Sequence, residues 1–262
     1  MSQTSFEICT EAHRYYTASD GYPLNPRKAV TLFQQAAELG ASDAMNYLGV
    51  IYEDGKYVPK DLQEAAKWYY KAYQTDNSNL LACYNLGRIF LLGIGVKEDY
   101  EKAEILLTKV VRAGVRDNPT LYGKSCNYLG SIMYGKYKDH AKAYAYFVKA
   151  AKYANIPDAW YTLGWYLDQN FQPDNYNDPD GSIVKSANEC YRIAADQGYA
   201  PAMHTIGTKI LTQNPKLGTH YIEKAAAAGY EPSIKTLKIL NVGNEGLSGL
   251  SKGLFKKFLD NF

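Results

Sequence analysis

The sequence is short of the residues that carry most chemistry. Among 262 residues there are only four Cys, four His, four Met and three Trp. Cys9, Cys83, Cys126 and Cys190 all lie more than 30 residues apart, so neither zinc spacing nor a local disulfide framework is present. Reduced thiols in a cytoplasmic protein are the expectation. His13, His140, His204 and His220 are scattered, and no two share a helical ligand spacing, which argues against a metal site. Charge of one sign is lacking too: 29 Lys plus Arg against 27 Asp plus Glu leaves +2. A nucleic-acid binder that works through a basic face is therefore not expected. No run approaches 18 apolar residues, so no membrane-spanning helix is expected. The opening MSQTSFEIC has neither a basic nor an apolar leader region, so no signal peptide is expected and a cytoplasmic location follows.

What is abundant is tyrosine, 25 against 8 Phe, and it is distributed over a repeat. The dipeptide Leu-Gly recurs at Leu48-Gly49, Leu86-Gly87, Leu129-Gly130 and Leu163-Gly164, followed by Ile206-Gly207. Four residues before each stands a small residue: Ala44, Ala82, Ser125, Ala159 and Ala202; Ser233 precedes Leu237 likewise. A large residue follows three after each glycine: Tyr52, Phe90, Met133, Leu167 and Ile210. This is helical spacing with one apolar stripe. A second stripe follows each first one, as small residues seven apart: Ala29/Ala36, Ala65/Ala72, Ala103/Val110, Ala143/Ala150, Ala187/Ala194 and Gly218/Ala225. Seven residues are two turns, so each pair shares a face and lets a neighbouring helix approach. Phe33, Trp68, Leu106, Tyr146, Cys190 and Tyr221 are the expected bulky fillers between them. Gly40, Gly114, Gly198 and Gly229 stand where a left-handed helix cap belongs.

The repeating unit is thus a helix, a turn and a helix, with a degenerate first helix on Ile8, Ala12, His13 and Tyr16. Six full units and a half unit are expected. No unit buries its stripe alone, so the units must stack. The segment Ala82 to Ala103, with Leu86-Gly87, Phe90, Gly93-Ile-Gly95-Val96, Asp99 and Lys102-Ala103, resembles the Sel-one-like repeat of the tetratricopeptide superfamily almost position by position. Ala44, Leu48, Gly49, Tyr52, Gly55, Val58, Asp61, Ala65 and Trp68 match it again. The later units depart: the fourth has a shortened loop, the fifth an insertion near 170–181, and the sixth lacks the Gly-x-Gly-Val turn. The resemblance implies an all-α fold, a right-handed α-α superhelix of about six repeats over residues 1–242. Residues 243–262 would form a hinge and a C-terminal amphipathic helix.

Motifs that could carry catalysis fail on context. Gly93-Ile-Gly95 lacks the third glycine and the preceding strand of a dinucleotide loop. Gly249-Leu-Ser251-Lys-Gly253 matches a nucleophile elbow, but no His follows it. Asp174 to Gly181 is rich in side-chain oxygens, yet the calcium-loop register puts Tyr176 and Ala187 at ligand positions. No enzyme and no cofactor are expected.

The resemblance implies instead a scaffold or adaptor that binds a protein or peptide along the first helices. Its exposed positions lie +2, +6 and +9 from the small residue. In this sequence they point to Asn46, Tyr84, Arg88, Asn127, Tyr134, Tyr161, Trp165 and His204. Tyr, Trp and Arg dominate interface hot spots; packing between units is the competing use of the same rings. Bacterial relatives include regulatory and effector- or immunity-type partners, a narrower role that no residue here marks. The tail carries Leu254, Phe255 and Phe258 among three lysines. It reads as a capping helix, with partner contact or a membrane-associated regulatory role as alternatives. A hydrolase is the least favoured class. The partner and the oligomeric state are not written in the sequence.

Overall fold

The computed structural model describes residues 3–171 and 186–246, with side chains placed through residue 240. The loop Asp174 to Gly181 and the tail residues Leu254, Phe255 and Phe258 lie outside the described residues. Every regular element among the described residues is a helix. Two compact units divide at Ala154/Asn155.

The first unit holds four helical hairpins. These are α1 (Ser5–Thr17) with α2 (Pro26–Glu38), α3 (Ser42–Asp54) with α4 (Leu62–Thr75), α5 (Leu80–Leu92) with α6 (Tyr100–Ala113), and α7 (Pro119–Ile132) with α8 (His140–Ala154). Each hairpin packs on the next, and α5 also packs directly on α3 and α7. The second unit pairs α9 (Pro157–Asp168) with α10 (Ala187–Asp196) and α11 (Ala200–Ile210) with α12 (Pro215–Ala227). It then adds α13 (Glu231–Gly246), packed on α12. This is the expected α-solenoid repeat.

Local sequence sets the helix ends. The second helices start behind a residue whose side-chain oxygen accepts from the first-turn amides: Asn25, Asp61, Asp99, Ser186 and Asn214. Pro26 and Pro215 follow at the first helical position, where a missing N–H costs nothing. Gly40, Gly114, Gly198 and Gly229 all have positive φ.

The Leu-Gly glycines are sites of close helix approach. A Cβ on Gly49 would lie 2.5 Å from the Tyr69 ring. On Gly87 it would meet Leu107 at 2.9 Å, on Gly130 Phe147 at 2.9 Å, on Gly164 Tyr191 at 2.8 Å, and on Gly207 Ile222 at 2.9 Å. In the second, fourth and fifth hairpins the filler is therefore one residue later than expected: Tyr69, Phe147 and Tyr191 replace Trp68, Tyr146 and Cys190. In the third, Leu107 lies closer than Leu106, and in the sixth Ile222 shares the contact with Tyr221. The physical reason is that positions three and four on from the small residue flank the same stripe, and a small pair seven apart does not choose between them. Trp68 is only half-buried, and Lys71 Nζ sits 4.3 Å above its ring.

Two loops depart instructively. Gly95 has φ +69°, and a Cβ there would strike the Leu62 carbonyl at the start of α4. The Gly-Ile-Gly motif is therefore a turn folded onto the preceding repeat. In the fourth hairpin the loop is too short for that turn. Helix α7 instead runs into a π-helical turn, Met133–Tyr137, closed by Lys138 at φ 56°. The Asp139 N–H donates to the Met133 carbonyl at 2.9 Å and starts α8.

Candidate partner-binding face

The first helices carry the side chains expected to meet a partner, and the structure sorts them by exposure. Asn46 is buried at 1% exposure. Its Oδ1 accepts from Asn85 Nδ2 at 2.8 Å, and its own Nδ2 has no hydrogen-bond partner. Asn46 thus ties α3 to α5 from inside. Tyr84 is half-buried with its ring 6.0 Å from that of Tyr128, and burial pushes its phenol pKa upward. Asn127 is half-buried on α7. Tyr134, in the π turn, is 40% exposed, with its ring edge-on to His140 at 5.3 Å.

In the second unit Tyr161 is half-buried between Tyr191 and Tyr199, at 5.6 and 5.5 Å. Trp165 is 38% exposed beside Tyr166. His204 is half-buried, with Nδ1 2.9 Å from the Ser233 hydroxyl and its ring 5.5 Å from that of Tyr230. Burial holds its pKa below the ordinary histidine value.

Arg88 is committed within the fold. Its guanidinium forks onto the Glu53 carboxylate, with Nη1 2.7 Å from Oε1 and Nη2 on Oε2. Tyr69, the residue under Gly49, donates its hydroxyl to the same carboxylate at 2.9 Å. Burial pushes the Glu53 pKa up, but Arg88 and Tyr69 outweigh it, so the carboxyl sits below its usual range. Burial opposes the Arg88 charge, and the Glu53 carboxylate more than restores it.

The same assembly recurs in the second unit. Tyr191, under Gly164, donates to Asp168 at 2.9 Å, and Lys209 of α11 reaches that carboxylate at 2.7 Å. Glu53 and Asp168 both stand nine residues after the small residue of their helix, and Tyr69 and Tyr191 four after theirs. Where the second-helix residue is Leu107, Phe147 or Ile222, the first-helix position is Leu91, Tyr134 or Leu211. An acid is present where a tyrosine hydroxyl needs an acceptor, and absent where it does not.

Sequence spacing missed a cleft in the first unit. It is about 610 Å³ in volume and lies between α1 and α3, lined by Phe6, His13, Asp43, Tyr47, Asp76 and Leu81 among others. Phe6 is 75% exposed there. It falls outside the repeat columns; an aromatic two residues before the first stripe was the available signal.

All four cysteines are buried; burial pushes Cys126 and Cys190 up to about 12 and Cys9 up to about 11. Among the described residues no cluster of His, Cys, Asp or Glu could hold a metal ion, and no helix is long and apolar enough to cross a membrane.

Among solved structures the chain is similar to a Sel1 repeat protein from Oxalobacter formigenes, at 21% identity and a TM-score of 0.65. That match covers 91% of this chain and 66% of the other, so the chain spans just under two thirds of that protein's length. It is also similar to PilF of Pseudomonas aeruginosa, at 17% identity and a TM-score of 0.57, covering 97% and 96% of the two chains. At these identities the likeness is one of fold. The sequence pattern of the Sel1 repeat matches residues 12–40, 42–75, 80–115, 123–152, 183–199 and 200–230. Five of these segments fall on both helices of a hairpin, the fifth in order takes in α10 without α9, and the chain belongs to the Sel1 repeat family.

Proposed function

We propose that the protein is a non-catalytic scaffold that holds a protein or peptide partner against the first helices of its hairpins. Sel1 and tetratricopeptide-like repeats are in general protein–protein interaction modules. The observation that carries the reading is the exposure of Tyr134 and Trp165 on backbone fixed by repeat packing. Wide aromatic side chains with few rotors lose little entropy on docking, which makes them effective anchors. Of the other expected contacts, Asn46 and Arg88 serve the fold, while Tyr84, Asn127, Tyr161 and His204 offer partial faces beside them. The alternative role of membrane-associated regulator rests on the sequence pattern of Leu254, Phe255 and Phe258 alone.

The test is affinity capture from native lysate with wild type, Tyr134→Ala and Trp165→Ala, followed by binding of the purified client. Circular dichroism checks that each variant folds. A client bound by wild type and weakened about tenfold or more by either substitution supports the scaffold reading at that residue. Equal binding by all three proteins moves the site away from both residues.

A further inference from the structure

We propose that the cleft between α1 and α3 binds a peptide segment of a protein partner that presents a bulky apolar side chain flanked by lysine or arginine. The proposal rests on the scaffold reading and narrows it to one site and one ligand chemistry.

The cleft arises where the repeat departs from its own rule. Elsewhere in this unit the first helices pack on one another, α3 on α5 and α5 on α7. Helix α1 carries His13 where the later hairpins carry glycine, and its ring stands 5.3 Å from that of Tyr47. The open volume of about 610 Å³ falls in the range of sites that enclose one or two large side chains.

Its lining has two characters. Phe6, Tyr47 and Leu81 supply apolar surface, and Phe6 is left 75% in water. Covering an exposed ring of that size removes apolar surface from water and favours binding. Asp43 and Asp76 supply charge, with no Lys or Arg among the lining residues. Asp43 accepts from Asn79 Nδ2 at 2.7 Å, and Asp76 accepts from the Ser78 hydroxyl and amide, which hold its pKa below the usual carboxylate value. The acidic lining continues beyond Phe6 and Thr10 into a smaller recess of about 390 Å³ that contains Glu7 and Glu11. Arg14 there is held by Asp20 at 3.0 Å, and Glu11 is paired with Lys28 at 3.5 Å, which leaves Glu7 as the carboxylate of the recess without a cation.

An apolar cleft rimmed by carboxylates matches an apolar anchor between cations and repels an acidic segment. The carboxylates are positioned for steering as well as for contact, so binding weakens with salt.

The test uses the full-length protein and two labelled synthetic peptides, read by fluorescence anisotropy. One peptide carries a Trp-Leu anchor between lysines; the other replaces each lysine with glutamate. The lysine peptide binds, more weakly as salt rises, and the glutamate peptide binds at least about tenfold more weakly. The double variant Asp43→Asn/Asp76→Asn loses about five- to tenfold in affinity for the lysine peptide and most of its salt dependence. Phe6→Ala, at an exposed position that folding does not need, loses a similar factor without changing the salt dependence. Equal binding of both peptides, no binding of either, or an unchanged affinity in both variants overturns the proposal. The captured client separates the two readings. A client held equally by wild type and the Asp43/Asp76 variant, yet released by Tyr134→Ala or Trp165→Ala, sinks this site and leaves the scaffold standing.

Discussion

The cluster of Tyr69, Glu53 and Arg88 makes a quantitative claim. A carboxylate placed between two hairpins is stable only because both partners are present. Tyr69→Phe removes one hydrogen bond to a charged acceptor, which costs about 1.5 kcal/mol. Arg88→Met leaves the Glu53 charge with only a phenol to face it. Unpairing a fully buried ion costs about 3–5 kcal/mol. The two side chains here are 15% and 19% exposed, so water recovers part of that, and about 2–4 kcal/mol is expected. The triple variant Glu53→Leu/Arg88→Met/Tyr69→Phe removes donor, acceptor and cation together. It gives the second hairpin the apolar chemistry that Leu91 and Leu107 give the third. Its cost is about 0–1 kcal/mol, far below the sum of the single changes. Repeat proteins open in parts, so native-state hydrogen exchange of the α3–α5 amides is the appropriate readout, with urea unfolding beside it. The pH dependence carries a sign as well. The Glu53 pKa is depressed in the fold, so its stabilisation is complete above the unfolded value of about 4.3. It is lost as pH falls through the lower folded value. The triple variant lacks this group's share of acid sensitivity. A triple variant as unstable as the summed singles, or an Arg88→Met cost under about 0.5 kcal/mol, refutes the reasoning.

Gly49→Ala drives a methyl into the Tyr69 ring, which its hydroxyl bond prevents from retreating, and costs about 2–3 kcal/mol in thermal or urea unfolding. Adding Tyr69→Leu relieves most of the clash. His204 is held below its usual pKa by burial, so the unfolded state takes up a proton first as pH falls. Exchange protection of α11 and α13 is therefore expected to drop as pH falls from about 6.5 through the lower folded value, and His204→Gln to flatten that dependence. No change between pH 7 and 5 would contradict it.

Much of the fold was legible because helix register is set by contacts and written as fixed spacings. The Leu-Gly pairs, the small residues seven apart and the capping glycines located six hairpins and a final helix. The filler residue was not legible, because Trp68 and Tyr69 border the same stripe and only the helix crossing selects Tyr69. Exposure along the first helices was half legible. Tyr134 and Trp165 are exposed, but burial of Asn46 depends on Asn85, and the state of Arg88 depends on Glu53, each a repeat away. The pairing of an acid with a second-helix tyrosine was present in the sequence, as Glu53 with Tyr69 and Asp168 with Tyr191. It becomes readable only once the correct filler position is known. The α1–α3 cleft lay outside any periodic argument, since it marks where the repeat breaks down.

Repeat arrays change length by recombination between similar segments, and the tyrosine–acid–cation assembly constrains which changes survive. Glu53 and Tyr69 sit in one hairpin and are inherited together, whereas Arg88 arrives with the next. Loss of the third hairpin would bring Ser131 to the place of Arg88 and strand the Glu53 carboxylate. A copy of the second hairpin inserted after itself would supply Val50 there, with the same result. Charge thus ties the third hairpin to its place after the second.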